Sequence, residues 1–305
     1  MSPGWITPAQ LTLFAQEETD AHRVFSSRET WIERFGSDLL ISHQLPDTLD
    51  ETLAQLEIWE QETGFTASRV FSRFVPIQNA DRHAPQQVRG EVAQSLTAIT
   101  REHGLQFEVD FSAGYSVGFF IDQRANRQYL RRFSPKRVLN CFAYTCSFSV
   151  AAAASGAETL SIDLSKKSLT RGSENFRLNN IDPTAGHWFL ADDVIDVLPR
   201  LERKGELFDA LILDPPTFSR GNKGRRWQVE RDFDDLLLRA LALAAPRARI
   251  LLSTNCTRMS RQALEISARH AFRATRRSGS FHSEPALPDI PPTLSAQTLW
   301  ILLKT

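Results

Sequence analysis

The chain has 305 residues, of which 42% are hydrophobic, and its 36 basic and 36 acidic side chains balance to a formal net charge of zero. This length supplies ample core and predicts two domains rather than one. No apolar run is long enough to cross a membrane, and no basic and apolar leader precedes the first domain, so we expect a cytoplasmic protein without membrane association. Three cysteines without C-x-x-C spacing and seven histidines without ligand spacing exclude a disulfide framework and predict no bound metal.

The charges are unevenly distributed along the chain. Residues 1–119 contain 8 Arg, no Lys and 17 acids, whereas residues 120–305 contain 28 basic and 19 acidic side chains. A basic half favours contact with a polyanion such as RNA. The basic cluster after the fourth strand described below includes two glycines, so we expect a loop whose Lys223, Arg225 and Arg226 bind RNA phosphates. Other arginine runs are equally consistent with solvated helix faces.

Residues 1–89 are expected to form a small α+β domain. Residues 47–62 carry leucines and a tryptophan at helical spacing, which predicts a helix docked on a sheet. Residues 70–77 have the composition of a strand. We assign no chemistry to this domain.

Residues 90–135 are expected to connect the two domains. The pattern predicts a helix over 92–103, ended by Gly104, then a hairpin over 107–111 and 115–121. A second helix is predicted to complete the connection before the last domain, which spans 136–305.

The last domain has the alternating pattern of an α/β fold with a parallel sheet. An apolar run at 138–142 and a β-prone segment at 159–162 flank a helix-forming segment that Gly156 ends, which predicts strand, helix and strand. Asp163 follows the second strand. An acid in this place is positioned to accept hydrogen bonds from both ribose hydroxyls of an adenosine moiety.

The turn after the first of these strands lacks the glycines of a dinucleotide site. A pyrophosphate needs G-x-G-x-x-G, so that backbone and helix N-terminus can approach it, whereas this chain has Ala143-Tyr144-Thr145-Cys146-Ser147. S-adenosylmethionine carries no phosphate and needs only carbonyls, a carboxylate binder and shape. The turn therefore favours S-adenosylmethionine over NAD, with a βαβ unit that binds no cofactor as the remaining alternative.

Two further apolar runs end in acidic residues. The run at 188–190 precedes Asp192 and Asp193, of which Asp193 is better placed to accept from an adenine amino group. The run at 210–213 continues into Asp214-Pro215-Pro216-Thr217-Phe218, where two prolines hold the chain extended. We expect Asp214 to face the crevice and Phe218 to offer a stacking surface to a planar substrate.

Several stretches of the second half match a known family in combination. They are GFFIDQRANR (118–127), VLNCFAYT (138–145), IDLSKKSL (162–169), ENFRLNNI (174–181), ADDV (191–194) and LDPPTFS (213–219). From Phe107 onward the chain resembles the bacterial large-subunit (23S) ribosomal RNA methyltransferases. That group includes a 5-methylcytosine enzyme and the 7-methylguanine half of a fused enzyme. A weaker likeness at 31–44 extends into the N-terminal domain.

The resemblance implies a Rossmann-like, seven-stranded class I methyltransferase sheet, closed by an antiparallel strand at 298–303. It implies that Gln123 and Arg124 lie near the methionine end of the cofactor or near the RNA. The implied catalytic surroundings are Asp214, Pro215, Pro216 and Phe218. The implied contacts to S-adenosylmethionine are Asn140, Phe142, Tyr144, Thr145, Asp163, Leu164, Ser165, Asp192, Asp193 and Asp214.

Two departures from the family pattern bear on activity. Relatives often have Gly-Gly where this chain has Cys146-Ser147, so we expect a backbone less free to take positive φ and slightly altered packing around the cofactor. A fifth strand is expected in the stretch 250–260. Methylation of cytosine carbon 5 requires a thiolate just after this strand, where this chain has Thr254, with Cys256 two residues later. Cys256 is therefore either a displaced nucleophile or a buried thiol without catalytic duty.

These features together predict an S-adenosylmethionine-dependent methyltransferase that acts on a nucleobase of RNA, with large-subunit ribosomal RNA as the expected substrate. Guanine N7 is favoured over cytosine carbon 5, because a ring nitrogen attacks the sulfonium methyl directly and needs only alignment. The stretches at 214–218 and 228–232 also resemble the guanine branch more closely. A protein or small-molecule acceptor and a non-catalytic RNA-binding or assembly factor are the alternatives.

Overall fold

The computed structural model describes residues 4–75, 83–92, 94–221 and 224–304. Its contacts divide the chain into two units. Unit 1 comprises Met1–Arg124 and Ala286–Leu294, and unit 2 comprises Ala125–Pro285 and Ser295–Thr305. The boundary predicted after residue 89 therefore lies within unit 1, and the one predicted after residue 135 lies within unit 2.

Unit 1 is built around a five-stranded mixed sheet of order β1-β2-β3-β4-β5. Its elements are α1 (Pro8–Gln16), β1 (Ala21–Ser26), β2 (Thr30–Phe35), β3 (Asp38–His43), α2 (Leu49–Thr63), β4 (Arg69–Phe74), β5 (Gln86–Gly90), β6 (Thr97–Glu102) and β7 (Leu105–Asp110). The helix α2 joins the parallel strands β3 and β4 and buries Leu56 and Trp59, which confirms the predicted docked helix. The strand predicted at 70–77 corresponds to β4, and residues 76 and 77 lie outside the described residues.

The helix predicted over 92–103 is wrong, because residues 97–102 form the strand β6. This strand pairs antiparallel with β7 through a turn at His103 and Gly104, whose φ values are 48° and 78°. Two consecutive positive φ angles are typical of a tight hairpin turn, so Gly104 serves that turn and does not cap a helix. The β-branched residues Thr97, Ile99 and Thr100 favour the strand. The predicted hairpin over 107–111 and 115–121 is wrong for the same reason, since the partner of β7 is β6.

Unit 2 contains a seven-stranded sheet of order β10-β9-β8-β11-β14-β16-β15. Its elements are α3 (Arg124–Phe133), β8 (Arg137–Cys141), α4 (Ser147–Ala153), β9 (Glu158–Asp163), α5 (Lys166–Leu178), β10 (His187–Ala191), α6 (Val194–Arg203), β11 (Phe208–Leu213), β12 (Phe218–Arg220), β13 (Arg226–Gln228), α7 (Val229–Ala242), β14 (Ala244–Thr254), α8 (Arg261–Thr275), β15 (Gly279–His282) and β16 (Gln297–Leu303).

The sheet confirms the predicted Rossmann-like architecture. Strands β10, β9, β8, β11 and β14 are parallel to one another, and β16 runs antiparallel between β14 and β15, as predicted for the closing strand. The direction in which successive strands are added to the sheet reverses between β8 and β11. After β8 the chain places β9 and β10 on one side, and it then places β11 and β14 on the other side. The carboxyl ends of strands at such a reversal are where α/β sheets bind ligands.

Both faces of this sheet are buried under helices. Leu139 and Leu211 belong to an apolar cluster with α6, α7 and α8, whereas Val138 and Ile212 belong to a second cluster with α3 and α4. Because side chains alternate along a strand, neighbouring residues enter opposite clusters, which explains why these strands are continuous apolar runs. Such packing fixes the strand ends that carry the candidate site.

Candidate functional site

The candidate site lies in unit 2, at the carboxyl ends of β8, β9, β10 and β11. Asp163 is the last residue of β9, and Asp214 directly follows β11. The turn after β8 leads into α4, and Asp193 precedes α6. The parallel register of these strands brings the four segments to the same edge of the sheet.

The turn between β8 and α4 is held in an unusual backbone conformation. Phe142, Tyr144 and Cys146 have φ values of 59°, 48° and 61°. Cys146 thus adopts the left-handed conformation, which is expected from the sequence to be less accessible to a residue with a side chain. Each such residue costs roughly 1–2 kcal/mol, so the surrounding packing must hold the turn in place.

Asp163 is oriented by two backbone donors. Its Oδ2 accepts from Tyr144 N at 2.9 Å, and its Oδ1 accepts from Ser165 N at 2.8 Å. Partial burial raises the pKa of this carboxyl above its ordinary value, and the two N–H donors oppose that shift. Each oxygen keeps a further lone pair for a hydroxyl donor. Leu164 next to it is 41% exposed and offers an apolar surface.

Asn140 and Thr145, two predicted cofactor contacts, are buried. The Asn140 amide donates to Ser149 Oγ at 2.9 Å, and Ser149 Oγ lies 2.8 Å from Ser161 Oγ. This network ties β8 to α4 and β9. The Thr145 carbonyl accepts from the buried Asn175 amide at 2.9 Å. Asn175 was not singled out from the sequence, although it lies in the matching stretch 174–181.

Asp192 and Asp193 differ in their surroundings. Asp193 is buried and caps α6, since its Oδ1 accepts from Ile195 N at 3.0 Å. Its Oδ2 lies 3.3 Å from Nη1 of Arg225, whose Nη2 donates to Asp196 Oδ1 at 2.8 Å. Asp192 instead forms an ion pair with Arg200. Asp193 is thus a fixed acceptor at the strand end.

The segment after β11 continues into a short antiparallel hairpin formed by β12 and β13. Pro215 is buried, Asp214 is half-buried and Phe218 is 61% exposed. Trp227 Nε1 donates to the Pro216 carbonyl at 2.8 Å, which fastens the hairpin to the proline segment. The Trp227 ring also lies 5.7 Å from the Phe142 ring of the turn after β8.

The residues predicted to bind substrate are differently placed. Arg226 is exposed, whereas Arg225 is engaged by Asp193 and Asp196, and Lys223 lies outside the described residues. Gln123 and Arg124 are buried in unit 1. Arg124 forms an ion pair with the buried Asp289 and donates to the Ala21 carbonyl at 3.1 Å. This placement argues against a phosphate contact by Arg124.

All three cysteines of the chain are buried. Cys256 is 4% exposed and packs in the apolar cluster with Met259, and its backbone N–H donates to Thr254 Oγ1 at 3.1 Å. Burial raises the pKa of Cys146 to about 12 and raises that of Cys141 as well. A thiol in either place resists ionisation.

Arg127, on α3, was not predicted from the pattern of the sequence. Its side chain is 2% exposed, and Nη1 lies 3.4 Å from Ser147 Oγ at the start of α4. It lies in the matching stretch 118–127, which was the available signal. The guanidinium thus places a positive charge beside the turn after β8.

Within residues 4–75, 83–92, 94–221 and 224–304, no group of three His, Cys, Asp or Glu side chains is arranged to hold a metal ion. Over the same ranges, no helix has the length and apolar character required to span a bilayer.

Comparison with known proteins gives concordant matches. The family described as S-adenosylmethionine-dependent methyltransferase matches residues 34–302. YwbD of Bacillus subtilis, provisionally named a ribosomal RNA large subunit methyltransferase, is 37% identical over 94% of this chain and 74% of its own length. Ribosomal RNA large subunit methyltransferase I of Serratia proteamaculans is 39% identical over 56% of this chain. The match spans only 43% of the Serratia protein.

A solved structure shows the same fold. SMU.776, a protein described as a methyltransferase and crystallised with S-adenosylhomocysteine, superposes with a TM-score of 0.82. The match covers 96% of this chain and 78% of that chain, at 24% sequence identity. At this identity, the similarity establishes architecture.

Proposed function

Because the chain belongs to the S-adenosylmethionine-dependent methyltransferase family, we propose that it methylates a ring nitrogen of a nucleobase in large-subunit ribosomal RNA, with guanine N7 favoured over cytosine carbon 5. The observation that carries the choice of atom is the burial of all three cysteines. The choice of RNA is supported by the names of the relatives and by the basic character of residues 120–305.

The geometry at the strand ends fits S-adenosylmethionine, which supplies an electrophilic methyl group when bound. Asp163, oriented by two backbone N–H groups, would accept from the ribose hydroxyls, and Asp193 from the adenine amino group. Arg127, beside the turn after β8, would bind the methionine carboxylate, because a guanidinium is suited to that group. The glycine-free turn supplies no cradle for a pyrophosphate, in agreement with a phosphate-free cofactor.

The burial of the cysteines supports nitrogen over carbon as the acceptor atom. Methylation of cytosine carbon 5 requires a thiolate that adds to the ring and makes that carbon nucleophilic. Cys256 packs in the apolar cluster, and the resemblance would place the family nucleophile at position 254, which is a threonine. A ring nitrogen such as guanine N7 attacks with its own lone pair, so the protein must only align base and methyl group.

The segment from Asp214 to Phe218 would provide that alignment. The buried Pro215 and the bond from Trp227 to Pro216 fix the backbone beside the cofactor edge of the sheet. Phe218, 61% exposed, would stack on the acceptor base and set its plane. In this arrangement Asp214 forms the wall between base and cofactor.

A labelling experiment tests the proposal. The protein is incubated with methyl-labelled S-adenosylmethionine and deproteinised large-subunit ribosomal RNA, and the digested RNA is analysed by mass spectrometry. We expect labelled 7-methylguanosine. Labelled 5-methylcytidine would overturn the choice of atom, and no labelled nucleoside would overturn the choice of substrate. The last outcome would favour a protein or small-molecule acceptor or a non-catalytic assembly factor.

A further inference from the structure

The hairpin of β12 and β13 has two chemically distinct faces. Its directly opposed pairs are Phe218 with Gln228, Ser219 with Trp227, and Arg220 with Arg226. Opposed residues of an antiparallel pair share a face, and successive residues alternate. One face therefore carries Ser219 and Trp227, and the other carries an aromatic ring, an amide and two guanidinium groups.

The first face is anchored to unit 2. Trp227 is 5% exposed, lies in the apolar cluster and donates to the Pro216 carbonyl. The second face is thereby directed to solvent, since Phe218, Arg220 and Arg226 are all exposed. The hairpin holds these three side chains in a fixed order next to the proline segment.

The two outward arginines form a like-charge pair. Arg220 and Arg226 are directly opposed, and within the described residues no acidic side chain lies within ion-pair distance of either. The adjacent Arg225 differs, because it pairs with Asp193 and Asp196. Two opposed cations destabilise a hairpin unless an anion lies between them.

We infer that Arg220 and Arg226 together clamp one phosphate of an RNA strand, while Phe218 stacks on a base of the adjoining nucleotide. The inference rests on the proposed function, which it deepens by naming the contacts to the substrate. Arg220 and Phe218 are two residues apart on one face, about 7 Å along the strand, so both groups contact neighbouring parts of one nucleotide chain. Arg225 has a different role, because its ion pairs with Asp193 and Asp196 fasten the hairpin to the start of α6.

Salt-dependent binding of a fluorescein-labelled 12-residue oligouridylate tests the clamp without requiring methyl transfer. For a single strand, each neutralised phosphate contributes about 0.7 to the slope of log K against log salt concentration. We expect R220Q, R226Q and the double variant each to lower the slope by about 0.7, because one phosphate is shared. R239Q, which removes an exposed arginine paired with Asp235 on α7, is the charge-matched control and should leave the slope unchanged.

Phe218 supplies a second, independent readout. F218A should weaken oligouridylate binding roughly 5- to 150-fold at every salt concentration, the range found for loss of one stacked base, without changing the slope. An unchanged slope in R220Q and R226Q, or twice the loss in the double variant, would overturn the shared clamp. If the clamp is confirmed and ribosomal RNA is still not methylated, only the proposed function fails. Circular dichroism of each variant verifies the fold.

Discussion

The side chain of Cys146 occupies the space that Gly172 leaves open on α5. A Cβ atom added at Gly172 would lie 2.4 Å from Cys146 Sγ and 2.9 Å from Cys146 Cβ. The family pattern leads to the expectation of glycine at 146, and the contact shows how the structure accommodates the larger cysteine there. The helix α5 thus holds the turn after β8 by close packing as well as by the bond from Asn175.

This contact predicts that G172A is destabilising, because the new methyl group collides with Cys146. Overpacking of this kind costs about 1–3 kcal/mol. We expect a decrease of this size in the free energy of unfolding of G172A, to be measured by urea denaturation. The double variant C146G/G172A should recover most of the loss, since glycine removes the colliding atoms and adopts φ near 61° without strain. Equal instability of the single and double variants would contradict the proposed pairing.

Replacement of Asp163 tests the ribose assignment. D163A removes the carboxylate that both hydroxyls would use, so the Kd for S-adenosylhomocysteine, measured by calorimetry, should rise on the order of 100-fold or more. Thermal unfolding without ligand serves as the control, because the same carboxylate also holds Tyr144 N and Ser165 N. Unchanged affinity in a folded variant would refute the assignment.

Arg225 and Arg226 are adjacent in sequence but should affect different ligands. R225Q breaks the contacts of the exposed Arg225 side chain to the buried Asp193 and the partly exposed Asp196. Solvent screens such contacts, so we expect the Kd for S-adenosylhomocysteine to rise by up to about 5-fold. R226Q is the matched control and should leave this Kd unchanged while weakening RNA binding. The reverse pattern would assign Arg225 to RNA, as the sequence alone predicts.

His22 predicts a pH dependence of the stability of unit 1. Burial, the largest cause, and the nearby Arg34 lower its pKa from 6.5 to about 4, and its ring stacks on Phe14 at 4.2 Å. The unfolded chain therefore binds more protons between these values. The contribution of His22 to the free energy of unfolding is fully present above pH 6.5. It falls by about 3 kcal/mol as the pH decreases to 4.

The variant H22F isolates this contribution. Phenylalanine keeps the stacked ring and cannot take up a proton. The free energy of unfolding, measured with urea between pH 4 and 6.5, should therefore depend less steeply on pH than in the wild type, by an amount that corresponds to about one proton. An identical slope in both proteins would assign the pH dependence to other groups.

The parts of the fold that could be predicted are those in which local pattern and burial agree. Strands β8 and β11 are largely apolar because both faces of the sheet are covered, and β8, β9 and β11 each end in or directly before the predicted site residues. The local pattern at 92–103 predicts a helix incorrectly, because a glycine follows helices and occupies tight hairpin turns alike, and only pairing with the partner strand β7 distinguishes the two.

The contacts of the candidate site could not be predicted in the same way. Arg225 meets Asp193 across 32 residues, and Arg124 meets Asp289 across 165. No local pattern encodes such pairs, so a run of arginines in the sequence does not distinguish a charge held by an acid from one free to meet RNA. The packing of Cys146 against Gly172 is likewise a property of two distant segments.

Replacement of Cys256 tests the chemistry of the acceptor. Because its thiol packs in the apolar cluster, C256A should retain kcat within about 2-fold while losing some stability, as expected for a small core substitution. C256S is less suitable, since a buried hydroxyl adds a desolvation cost of its own. RNA in which 5-fluorocytidine replaces cytidine, incubated with S-adenosylmethionine, provides the complementary measurement. After a thiolate adds to that base and carbon 5 accepts the methyl group, the fluorine on carbon 5 blocks the elimination that would release the thiolate, so a covalent complex persists. We expect no adduct with the wild-type protein, since a nitrogen acceptor needs no covalent step. An adduct that C256A abolishes would make Cys256 the nucleophile and cytosine carbon 5 the acceptor.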